Sequence, residues 1–300
     1  MQLPLNQSML HTQNERKKDK WSSLAWVIII YVISQIILGV LSALFIMLIS
    51  SFTGNDVDAI SQSSTFNTLF TLYGLLVISA LTIQVSLMLE NRSNRSIGLS
   101  KVKGNKLLKA LVYGGGLGLV VSLMTALLGN VTYSFNSNIN IAITIITLFG
   151  FVVKAFGDEL LYRGYFMNAL GTDGKITQAL FVSSVVATLP ILLSQDFTVM
   201  SLLNTFLFQL MLAIICYLAD NVIVSSLFSA GWSIVIYSIF GSSLNGQLLH
   251  HSLFTYDIEN ASVSSGGTIG FMGSLYTTLL LGIALFFLYN RLKHLNETES

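Results

Sequence analysis

The stretch IAITIITLFGFVVKAFGDELLYRGYF, residues 141–166, decides the fold. A membrane-crossing helix takes about 20 mostly apolar residues, and this run is long enough. Yet it carries Lys154, Asp158, Glu159 and Arg163 in its second half. A charge at the bilayer centre costs about 2.5–3.5 kcal/mol on insertion scales, so each one needs a partner or water. The spacing supplies partners. Lys154 and Asp158 are four residues apart, as are Glu159 and Arg163, so each pair shares one helical stripe. At least one pair must then face the protein interior. The structural role expected of them is a pair of ion bridges near the inner interface, with Arg163 snorkelling into the cytoplasm.

The rest of the chain supports a membrane reading. Of its 300 residues 53% are hydrophobic and 10% are charged, where a soluble domain carries about 25% charge. The strict alternation of a membrane β-barrel is absent. Eight stretches qualify as spans: 24–50, 66–89, 107–129, 140–166, 176–194, 198–219, 222–241 and 268–289. The expected fold is therefore an all-α polytopic membrane protein of about eight transmembrane helices. The apolar run after Trp21 is too long for a cleaved signal peptide, so the first span reads as an uncleaved anchor.

Basic residues set the expected orientation. They cluster in Arg16, Lys17, Lys18 and Lys20, in the loop from Arg92 to Lys109, at Arg163 and Lys175, and at Arg291 and Lys293. Their side is the cytoplasm, which places both termini there. The outer loops carry only acidic charges, Asp56, Asp58, Asp196, Asp257 and Glu259. A net charge of +1 excludes a nucleic-acid binder on electrostatic grounds. One cysteine, Cys216, excludes a disulfide framework, a multi-cysteine zinc site and an iron–sulfur site. No cofactor is expected. The expected partners are membrane lipid and a membrane protein or peptide, and no oligomeric state is read.

Smaller features complete the pass. The loop 242–267 is rich in Ser, Gly and Asn and reads as flexible. It holds His250 and His251, which read as solvated side chains rather than a metal pair. Gly114 and Gly118 have the spacing that lets two membrane helices approach closely, and packing within this chain is expected rather than a dimer contact.

A carboxylate at Asp158 or Glu159 could activate a water deep in the membrane. Hydrolysis there also requires a group to share the proton and donors for the oxyanion. Histidine is the usual choice, but His11, His250, His251 and His294 all lie outside the spans. A transporter would explain polar Gln35, Gln84 and Gln209 within spans, although no broken pair of helices marks corresponding halves.

Asp158-Glu159-x-x-x-Arg163-Gly164 resembles the first motif, Glu-Glu-x-x-x-Arg, of the CPBP family. That family comprises CAAX prenyl endopeptidases and bacteriocin-processing or immunity proteins, also called the Abi family. The run from Ile97 to Lys109 is similar to the family's entry to its core, the segment Ala179–Ser184 to the start of its second motif helix, and Asp220-Asn221 leading to Trp232-Ser233 to its third. The resemblance covers about 95–290. It implies an intramembrane protease-like core over 95–290, preceded by a polar tail over 1–21 and two helices over 22–94, and followed by a tail over 291–300.

The resemblance also implies roles. Asp158 stands where the family has its catalytic Glu. Ile191 stands where the second motif ends in His, and Ala187 where an aromatic precedes it. Ser229 and Ser233 stand at the third motif's His and Asn or Asp. In the family, glutamate and histidine activate water while the third-motif pair stabilises the oxyanion. Serine can donate to an oxyanion but cannot relay protons near neutral pH as imidazole does. The function expected is that of a degenerate, non-catalytic member acting through membrane partners, in bacteriocin immunity or the regulation of envelope signalling or processing. The alternative is an active intramembrane endopeptidase built on Asp158, Glu159 and Arg163. The expected location is a cell membrane, multi-pass, in a bacterium the plasma membrane.

Overall fold

In the computed structural model, eight helices among the described residues are long and apolar enough to cross a membrane. It describes residues 3–16, 19, 21–128, 131–193, 197–244, 248–258 and 262–299. Lys17, Lys18, Lys20, Asp196 and Glu259 lie outside that set. A short helix α1, Gln7–Glu15, precedes the spans. The spans are α2 (Ser22–Thr53), α3 (Ser64–Leu89), α4 (Gly104–Leu128), α5 (Ile141–Asp173), α6 (Ile176–Leu193), α7 (Val199–Ala219), α8 (Val222–Ile239) and α9 (Leu275–Glu299). Seven of the eight expected spans agree with these to within a few residues, apart from a longer tail on α5.

Polar side chains mark where several spans begin. The Asn140 side chain accepts from the Ile143 N–H at the start of α5. Thr198 and Ser201 close a reciprocal box at the start of α7. Asn221 accepts from the N–H groups of Ile223 and Val224 at the start of α8. Each satisfies helix-end donors that would otherwise face an apolar medium.

Close helix packing in lipid needs small residues. A Cβ on Gly114 would lie 1.9 Å from the Phe228 carbonyl oxygen, and one on Gly231 would lie 2.1 Å from that of Leu111. Gly118 approaches the Trp232 carbonyl in the same way. The glycine spacing in α4 therefore serves a contact with α8 within this chain, as expected.

Two departures concern the end of the bundle away from the termini. Val131–Phe135 (β1) pairs antiparallel with Phe254–Ile258 (β2), from Val131↔Ile258 to Phe135↔Phe254. The expected all-α fold thus gains a small ribbon, whose second strand lies inside the loop read as flexible. Tyr133 anchors it against the bundle: its ring packs edge-on against Phe240, 5.0 Å between centroids. Five-residue strands are too short for alternation to stand out in the sequence. Residues Gly267–Gly273 form a tight 3-10 segment rather than the start of the last span, with Gly270 at φ +77°. Buried Asn204 holds that segment by donating to the carbonyls of Met272 and Ser274, at 2.8 and 2.9 Å.

At the opposite end Leu3, Met9 and Leu292 belong to one buried apolar cluster. The segment expected as a polar tail folds as α1 and docks there. Fully buried Met9 lies against Gly171. We refer to this as the terminal end and to the other as the hairpin end.

Candidate functional site

The charged stripe sits where α5 changes character. Its helix is regular through Glu159, then widens to π geometry over Leu160–Met167. π turns are rare and recur at functional sites. Lys154 Nζ donates to Asp158 Oδ2 at 2.6 Å, and both side chains keep about a third of their exposure. Arg163 Nε lies 3.8 Å from Glu159 Oε2 with both groups buried. Both expected ion pairs are therefore present. The expected snorkelling of Arg163 is not: the residue is 0% exposed. Its head is turned inward because Arg163 Nη2 donates to the Gln209 backbone carbonyl at 2.8 Å and to the Gln209 side-chain oxygen. An inner partner thus replaces water, so the long stem has no reason to reach the interface.

A cavity of about 550 Å³ lies beside this helix. Asp158, Glu159, Ile191, Ser229 and Ser233 all line it, together with Lys154, Tyr162, Ala187 and Gln209. The structure brings these sequence-predicted residues onto one surface, except Arg163, which stands behind Glu159 and Gln209. Ile191 lies on the 3-10 turn Leu189–Leu193 at the end of α6. Glu159 Oε2 has no hydrogen-bond partner among the described residues.

Ser229 and Ser233 differ from the serines one turn earlier in α8. Ser225 and Ser226, one turn earlier, donate to the Val222 carbonyl. Among the described residues neither Ser229 nor Ser233 makes a hydrogen bond, although both are half-buried on the cavity wall. Their hydroxyls are available to whatever occupies the cavity.

Gln209 was missed as a site residue, being noted only as a polar residue within a span. A polar side chain in α7 facing an arginine one helix away leaves no local signature in sequence. His250 and His251 line a separate small pocket at the hairpin end with Ser238 and Thr147. Among the described residues no cluster of three metal-ligating side chains exists.

The fold and site define a multi-span membrane protein with an acidic pair and a buried arginine on one helix beside an internal cavity. Residues 140–235 match the family model described as type II CAAX prenyl endopeptidase Rce1-like. The chain is a multi-span membrane protein in which this segment is similar to type II CAAX prenyl endopeptidase Rce1-like proteins. No curated protein and no solved structure matches it. The matched range runs from the start of α5 into α8, so it holds Asp158, Glu159, Arg163, Ile191, Ser229 and Ser233. Helices α2, α3, α4 and α9 lie outside it.

Proposed function

We propose that this chain is a non-catalytic member of the family, which uses its cavity to bind a segment of a membrane partner. Such a role fits immunity to a bacteriocin or the regulation of envelope signalling or processing. One observation carries the reading. Asp158 and Glu159 line the cavity and, among the described residues, no imidazole does, while Ile191, Ser229 and Ser233 stand where the resemblance implies the family's second- and third-motif groups. The resemblance implies a histidine that shares with the carboxylate the proton drawn from water. Ser229 and Ser233 cannot do so near neutral pH. They can donate hydrogen bonds, as can the Gln209 amide, which suits recognition of a polypeptide backbone.

A proteolytic reading draws on Glu159, a buried carboxylate whose Oε2 faces Arg163 Nε at 3.8 Å without a hydrogen bond. The two readings separate in one assay. The purified protein in lipid is incubated with prenylated-peptide and leader-peptide substrates, beside the Asp158→Ala and Glu159→Ala variants. The binding reading expects no cleavage above the variants. Turnover that both substitutions abolish would establish the protease and overturn it.

A further inference from the structure

Which side of the membrane the cavity faces is a separate matter from what happens inside it. Toward the terminal end the lining stops at Glu159, Tyr162 and Ser229. Ser229 is seven residues into α8, about 10 Å from that end at 1.5 Å per residue. Toward the hairpin end the lining continues to Ser201, in the first turn of α7, and to Ser243 and Met272 in the loops. The cavity is therefore offset toward the hairpin end.

Its floor is closed. All eight residues of the π segment Leu160–Met167 are buried. Beneath that layer α1 ties the terminal-end loops together. The Ser8 N–H donates to Asp220, Gln13 to the Thr172 carbonyl, and the Ser93 N–H to Glu15. Thr12 Oγ1 accepts from Arg92 and lies 2.9 Å from the Ser96 carbonyl. Arg92 in turn donates to the Tyr165 carbonyl, and Tyr165 donates to Glu90, which pairs with Arg16. The docked helix is thus wired to the floor itself.

Its side is open beside the middle of α2 and, at Phe197, toward the hairpin end. Gln35 and Gly39 of α2 line the cavity and are exposed, and a Cβ on Gly39 would meet nothing within 4 Å. Phe197, across from them on the rim, is 45% exposed.

We infer that the cavity is reached from the hairpin half of the membrane, beside α2, and that α1 is a strap holding the terminal end shut. A partner segment docks from the hairpin side. The inference stands whether the cavity binds or cleaves, because it concerns access alone.

The test uses the full chain with Cys216→Ala in sided vesicles and a charged, membrane-impermeant maleimide. Ser137→Cys reports the hairpin face and Lys103→Cys the terminal face. Ser233→Cys is expected to react from the face that labels Ser137→Cys, about tenfold or more faster than from the other. Met9→Asp places a charge where a fully buried side chain sits, and should raise labelling of Ser233→Cys from the terminal face by about tenfold or more. Thr12→Val, which keeps the volume and removes the hydroxyl that bridges Arg92 and Ser96, should raise it in the same direction by less. Faster labelling of Ser233→Cys from the terminal face, or none from either face, would overturn the inference. Unchanged sidedness in both folded strap variants would overturn the role of α1.

Discussion

Arg163 shows how much one buried residue constrains. Its charge is fully removed from solvent, with Glu159 as counter-ion and Gln209 as hydrogen-bond acceptor. Removing one partner of a buried pair leaves an uncompensated charge and costs about 3–5 kcal/mol. Glu159→Gln and Arg163→Ala should therefore each lower thermal stability in detergent sharply. The double variant should lose less than the sum, a coupling that a double-mutant cycle reads directly. Additive losses would mean that the two side chains do not act as a pair. Glu15 makes a second prediction, at the strap. Burial pushes its carboxyl up, but the Ser93 N–H and nearby hydroxyls outweigh this and hold it below the ordinary carboxylate range. A depressed carboxylate contributes stability above its unfolded value, about 4.3, and that contribution disappears as pH falls through the folded value. A spin label at Gln7→Cys should gain mobility below about pH 4 and stay unchanged between about pH 6 and 8. Equal mobility at all three values would show that Glu15 plays no part in docking.

At the scale of elements, the contact between α4 and α8 is the one most exposed to a single methyl group. A Cβ at Gly114 or Gly231 meets backbone carbonyls of the opposite helix, and neither backbone can turn aside as a side chain could. Overpacking a core costs about 1–3 kcal/mol. Gly114→Ala and Gly231→Ala should each lower the melting temperature, while Gly116→Ala, where a Cβ meets open space, should not. Equal effects at all three positions would show that the helices do not approach as closely as described. The same elements show what sequence alone could reveal. Spans are legible because a run of about twenty apolar residues is what crossing the hydrocarbon demands, and a soluble helix has no use for one. The ribbon of β1 and β2 is not, because five-residue strands whose partners lie more than a hundred positions apart carry no local pattern. The docking of α1 is also hidden. A polar helix that buries Met9 and Thr12 among loops looks, in sequence, like a solvated tail.

For the whole molecule, the acidic pair and the arginine could be found from their spacing and from the cost of placing charge in a membrane. Their inward turn could not, since it depends on Gln209 from another helix. The resemblance implied that Asp158, Ser229 and Ser233 face one another, and all three line one cavity, with Glu159 and Ile191. On the proposed reading, that cavity is kept for binding after the groups that would make it proteolytic are gone. The most direct measurement is photocrosslinking in cells from a reactive side chain at Ser229, compared with one at lipid-facing Phe149, which is 65% exposed. A binding cavity predicts a discrete polypeptide adduct from Ser229, absent from Phe149 and unchanged in mass by Asp158→Ala. Adducts from Ser229 to lipid alone, or to a fragment that becomes full-length in Asp158→Ala and Glu159→Ala, would contradict it.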